Sequence, residues 1–356
     1  MPDSALTNHL ERSTSDRPRS GPDSRYATLD GLRGLAALCV ALFHFAPGIM
    51  SAGYLAVDFF FGLSGFVLMK AYEERLANGL ATARFMWARL IRLYPLYLLG
   101  ITLGVVTQLC QYLAGNPMIS HPAGWIAPFV VNVLFLPWPF DAEPYPTNGV
   151  AWSLFVELLA NLVMAAWLVR ARPAILWVVC LIGGVLCLIG PAQAANGWQG
   201  IARGSLHALY TFTAGMIIAR ACGSGARSPR AITGVLFLGL MIALATGGSN
   251  YWAVQMPFIL IGTPLLVAAG AMAEPQHFLR PAALWLGDVS YALYMVHVPL
   301  MPWVRAATSK AGLTELTSSV LFLTVSLLAA WLATRFVDRP MRRIMNGIGR
   351  RQARPA

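Results

Sequence analysis

The sequence predicts an all-α, polytopic integral membrane protein of about ten transmembrane helices, with both termini cytoplasmic. Three observations carry this. Of the 356 residues, 57% are hydrophobic and only 12% are charged, against roughly 25% charged in soluble domains. Mean hydropathy is +0.60. The apolar residues fall into stretches close to the 20 or so that a bilayer span needs. A water-soluble enzyme and a disordered chain are excluded.

The elements follow in order. Residues 1–27 are rich in Ser, Asp, Pro and Arg and read as a disordered basic cytoplasmic tail. Their basic residues are not followed directly by an apolar run, so they are not a signal peptide. Spans are expected near 33–50, 53–70, 92–113, 151–169, 174–190, 205–220, 231–247, 253–272, 283–304 and 316–336. They form one membrane domain, 28–343, followed by a basic cytoplasmic tail, 344–356. Alternating the spans from a cytoplasmic start puts 23 of the 26 Lys and Arg inside. Only Arg203, Arg305 and Lys310 fall outside, a strong positive-inside bias. The net charge of +11 therefore reports orientation, and no nucleic-acid partner is expected. Residues 125–140 are apolar but short and broken by Pro128, Pro137 and Pro139, so they read as a re-entrant or interfacial segment on the outer side.

The five cysteines lie in or beside apolar stretches without metal or redox spacing. They read as small buried hydrophobes, and no metal site is expected.

Ionisable groups inside a bilayer are costly and point to function. Arg33 opens the first span and His44 follows eleven residues later, on the same face and roughly 16 Å deeper. Helix arithmetic places Asp58 about 18 Å above Lys70, and Glu157 about 20 Å above Arg170. His297 and His207 reach a similar level. Five spans thus bring ionisable residues to one layer. His207 reads as a cross-helix hydrogen-bond former. Ser64 reads as structural, because GLSG is not a nucleophile elbow.

Arg89 and Arg92 share a helix face and, with Arg33, would form a basic collar at the cytoplasmic mouth. Arginine suits bidentate phosphate binding. A phosphate-rich donor held there must reach His44 with its reactive end. Coenzyme A has that shape, with phosphates at one end and a thioester at the tip of a long arm.

Several segments in order now identify a resemblance: YATLDGLRGLAALCVALFHF, VDFFFGLSGFVL, RLIRLYPLYLL, AWSLFVELL, GDVSYALYMVHVPL and FVDRPMRR. Together they resemble the acyltransferase-3 family of integral-membrane O-acyltransferases acting on polysaccharides, O-antigens, Nod factors and macrolides. The resemblance runs from about residue 26 to 343. It implies transfer of an acyl group, usually acetyl from acetyl-CoA, to a hydroxyl. It makes His44 the catalytic histidine and Arg33, Arg89 and Arg92 the functional arginines. Tyr94 joins them as a donor-binding residue. Leu158, Leu159, Ala160 and Asn161 stand where relatives often carry aromatics, and a serine-hydrolase-like extra domain, found on some members, is not expected.

The resulting expectation is a bacterial inner-membrane enzyme with His44 as general base. Asp58, or else Glu157, would fix its tautomer. Trp152, Ser153 and His297 would line the acceptor side, opening outward through 114–150. The acceptor would be a glycan, a lipid-linked sugar or a polyketide. A transporter with a midplane polar site is the competing reading. A non-catalytic scaffold would leave the polar layer unexplained.

Overall fold

The computed structural model describes residues 26–116, 119, 121–189, 197–222 and 251–352. Every regular element among them is helical. In chain order, α1 is Ala27–Phe45, α2 Ala56–Ala77 and α3 Thr82–Leu113. Then come α4 Ala123–Asn132, α5 Trp152–Ala166, α6 Pro173–Ile189 and α7 Gly197–Ala221. Two π-helical turns lead into α8, Thr263–Met272. Last are α9 Arg280–Lys310 and α10 Glu315–Ala333, which passes through a π-helical turn, Thr334–Asp338, into α11, Arg339–Gln352.

Local chemistry sets several boundaries. α1 stops at Phe45, two residues before Pro47, because proline disfavours the helical region for the residue before it. Gly79, at φ +96°, turns the chain between α2 and α3. Thr314 caps α10 by accepting from the Thr317 amide at 3.3 Å.

Two helix pairs dominate the packing: α1 along α9, and α2 along α7. Both run parallel, as shown by Arg33 meeting Gly287 and His44 meeting His297 in the first. Asp58 meets His207 and Glu73 meets Arg220 in the second. Small residues permit the approach. A Cβ at Gly65 or Gly215 would strike the backbone of the facing helix. The end where α1 begins is called the lower end.

Among the described residues, six helices are long and apolar enough to cross a membrane: Ala27–Phe45, Gly53–Ala77, Thr82–Leu113, Gly149–Ala166, Trp252–Met272 and Glu315–Gly347. α7 and α9 have the length, with 25 and 31 residues, but are more polar. α6 is apolar but has only 17 residues. The expected span 231–247 and most of the tail 1–27 lie outside the described residues. The only helix that enters segment 125–140 is the ten-residue α4, Ala123–Asn132, about 15 Å long and too short to span. Residues 344–352, expected as a tail, continue α11.

Candidate active site

His44 lies one residue before the upper end of α1, and His297 faces it from α9. Nε2 of His297 is 3.2 Å from Nδ1 of His44, and His297 is fully buried. The other His297 nitrogen, Nδ1, is 3.1 Å from the Leu293 carbonyl. A carbonyl only accepts, so His297 Nδ1 carries the proton and Nε2 is the acceptor. His44 must then donate from Nδ1, which also lies 2.9 Å from the Val40 carbonyl. Its Nε2 is left unprotonated, with no partner among the described residues. The two backbone carbonyls thus fix both tautomers, a role the sequence assigned to a carboxylate.

Arg305 holds this end of α1. It donates to the carbonyls of His44 and Phe45 at 3.0 and 2.8 Å, where a cation also suits the helix dipole. The sequence missed its role, although its signal was present: Arg305 is one of three exceptions to the charge rule. Beside the pair, Ser153 and Tyr294 share a hydroxyl bond of 2.8 Å, and Ser153 also donates to the Val150 carbonyl at 3.0 Å. The Tyr294 ring lies 5.9 Å from that of His297. Ser153, Tyr294, His297 and His44 therefore form one polar row between α5, α9 and α1. Trp152 is half-buried, its ring seated on Gly204 of α7.

The two carboxylates expected beside His44 have other partners. Asp58 is bonded by His207 Nδ1 at 3.1 Å, and both are buried. Glu157 accepts from Arg89 at 2.8 Å and from Ser64 at 3.0 Å. Asn161 completes this cluster once its amide is turned so that the oxygen accepts from Arg89 Nε at 3.2 Å and the nitrogen donates to the Glu157 carbonyl at 3.3 Å. The single expected layer is therefore split into three sites. Its levels were counted from Lys70 and Arg170 as though both marked one plane. Instead, α2 continues to Ala77 and α5 already ends at Ala166. Asp58 thus stands about 28 Å above the lower end of its helix and Glu157 only about 14 Å above its own.

The arginine collar is divided as well. Arg89 is buried against Glu157. Arg33 pairs with Asp30 at 2.8 Å and donates to the Gly287 carbonyl and to Ser290. Arg92 is exposed and has no ion pair among the described residues, with Asp338 and Arg342 within electrostatic reach. The ring of half-buried Tyr94 lies 5.9 Å from that of Phe135.

Residues 144–148 are wedged between α3 and α9. Gln108 donates to the Pro146 carbonyl at 2.6 Å, and Asn148 donates to the Met295 carbonyl at 2.9 Å. Phe135, at φ +64°, begins this excursion. It is held in that costly conformation by stacking on Tyr97 at 3.8 Å and by a bond from Tyr145 to its carbonyl. Gln108 Oε1, Thr147 Oγ1 and Asn148 Oδ1 are buried without a donor among the described residues.

Apolar helices around an internal histidine pair, with arginines below it, define the class: an all-helical membrane protein with a polar cluster in its interior. The chain belongs to the acyltransferase-3 family: the family model, described as an acyltransferase domain, matches residues 26–335. The similar protein 2 in the picA locus of Rhizobium radiobacter is 38% identical, over 48% of this chain and 97% of that protein. Acyltransferase MdmB of Streptomyces mycarofaciens is 27% identical, over 92% of this chain and 94% of MdmB. YrhL of Bacillus subtilis, provisionally named a peptidoglycan O-acetyltransferase, is 25% identical over 88% of this chain. This chain spans about half of YrhL, 54%. No solved structure matches.

Proposed function

We propose that this chain transfers an acyl group, acetyl by preference, from acyl-CoA to a hydroxyl, with His44 as general base. The observation that carries this reading is the hydrogen-bond relay from His44 through His297 to the Leu293 carbonyl, which leaves His44 Nε2 free to take a proton. In the step, Nε2 removes the acceptor hydroxyl proton as the oxygen attacks the thioester carbonyl. The tetrahedral intermediate collapses, breaks the carbon–sulfur bond and expels CoA thiolate, which takes the proton back from His44. His297 accepts from the imidazolium and steadies its charge. Acyl transfer through a covalent acyl-His44 would use the same free nitrogen.

The donor phosphates are assigned to the lower end. Arg92 is the available cation there, and Arg33 stands roughly 16 Å below His44 along α1, a distance the pantetheine arm has to cross. Arg89 acts from behind this surface, through Glu157. Tyr94 lies on the donor side.

The acceptor is a glycan hydroxyl in this reading, supported by the name of YrhL. A lipid-linked sugar or polyketide presents the same chemistry. Trp152, Ser153 and His297 line that side, and the buried oxygens of Gln108, Thr147 and Asn148 match hydroxyl donors. Family membership favours transfer over the transport reading.

The topology we infer has about ten spans, with both termini in the cytoplasm and 28–343 as the membrane domain, in a bacterial inner membrane. It is supported by the charge asymmetry. The test is release of free CoA from acetyl-CoA by the full chain in nanodiscs, with acceptor glycan present. Wild type should release it and His44→Ala should not. Equal release by both would remove His44 from the reaction.

A further inference from the structure

The lower part of the α9–α10 interface carries a second polar site, which the acyl-transfer reading does not use. A cleft of about 50 Å³ lies there, walled by Trp285 and Asp288 of α9 and by Trp331, Arg335 and Arg339 of the facing helix. At 10–15 Å³ per water on this measure, it has room for a phosphate group. Trp331, Arg335 and Arg339 follow at four-residue steps, so an indole and two guanidinium groups form one stripe. The helix winds as a π-helix over Thr334–Asp338, an irregularity common at functional sites.

The charges in the cleft do not cancel. Asp288 is the one acidic wall residue, and it meets Arg339 only at 3.9 Å, with both side chains more than 40% exposed. Arg335 is exposed and has no ion pair among the described residues. Asp338 and Arg342 pair with each other at 2.7 Å. The cleft therefore carries one net positive charge, with planar donors suited to a phosphate.

Its surroundings are those of a bilayer surface. Trp285 and Trp331 are each nearly half exposed, and tryptophan favours the headgroup level. Above the cleft, α10 is the least enclosed of the apolar spans, only 28% buried, and presents Leu328 and Leu332 outward. Phe336, at its level, and Ile344 beside Arg343, below it, are exposed. A ligand in the cleft would thus meet cations at its phosphate, indoles next to it and an apolar helix face beyond.

We propose that this cleft binds the phosphodiester headgroup of an anionic phospholipid, with Arg335 and Arg339 on the phosphate and the acyl chains along α10. A free phosphate presents the same chemistry, so the test separates the two.

The test is native mass spectrometry of the full chain in detergent, titrated with phosphatidylglycerol, phosphatidylcholine or phosphatidylglycerol plus excess inorganic phosphate. Wild type should bind phosphatidylglycerol in preference to phosphatidylcholine, and inorganic phosphate should not displace it. Arg335→Gln/Arg339→Gln should lower that affinity about tenfold or more. Arg343→Gln, outside the cleft, should bind as wild type does and controls for loss of fold. Equal binding of both lipids, unchanged binding by the double variant, or displacement by inorganic phosphate would each overturn the proposal.

Discussion

His297 Nε2 stands 3.2 Å from His44 Nδ1, and the far nitrogen of His297 stands 3.1 Å from the Leu293 carbonyl. The backbone thereby dictates which nitrogen of His44 is basic. A carboxylate behind His44 would stabilise the imidazolium with a full charge. An imidazole does so with a lone pair and leaves the resting site neutral, which suits a membrane interior.

The role of His297 is positional. His297→Leu removes one of the two acceptors facing His44 Nδ1 and leaves the Val40 carbonyl, and kcat should fall about 10- to 100-fold, the worth of one charge-assisted hydrogen bond. KM for acetyl-CoA should stay within a few-fold. His297→Gln, which can still accept, should recover part of the loss. A changed KM with unchanged kcat would make His297 a binding residue only.

Asp58 and His207 are predicted to hold α2 against α7. Asp58→Asn should therefore lower the thermal midpoint in detergent while transfer stays within a few-fold of wild type. A loss of transfer equal to that of His44→Ala, at unchanged stability, would return Asp58 to the reaction.

The Arg89–Glu157 pair should show strong coupling. Glu157→Leu strands a buried guanidinium and should destabilise by about 3–5 kcal/mol. Arg89→Leu/Glu157→Leu should be less destabilised than the sum of the single variants. Additive losses in thermal or denaturant unfolding would contradict the pairing.

Gly104 should prove essential to the wedge at 144–148. A Cβ there would strike the Thr147 backbone, so Gly104→Ala should displace the segment. Acceptor-dependent transfer should fall more than acceptor-independent hydrolysis of acetyl-CoA. Equal losses would dissociate the wedge from acceptor binding.

Much of this architecture was legible in the sequence. Every expected span within the described residues overlaps a helix, because apolar length and flanking charge are one-dimensional signals. His44 and His297 were placed at one level, since eleven and fourteen residues of helix fix their heights closely. Their direct bond was not legible, because it depends on how α1 and α9 are rotated against each other. The same limit misplaced Asp58 and Glu157: their partners come from α7 and α3, and sequence spacing gives no helix rotation. Helix ends were a second source of error. α1 begins six residues before Arg33, so Arg33 sits within the helix, bonded to α9, instead of opening it. The wedge at 144–148 has no periodic signal at all.

The most direct test of the account is donor affinity and turnover measured together on His44→Gln, in nanodiscs with acetyl-CoA and an acceptor glycan. Glutamine keeps a side chain that can bond His297 but offers no basic nitrogen. The account predicts acetyl-CoA binding close to wild type, with transfer lost. Transfer persisting at a wild-type rate would contradict His44 as the base.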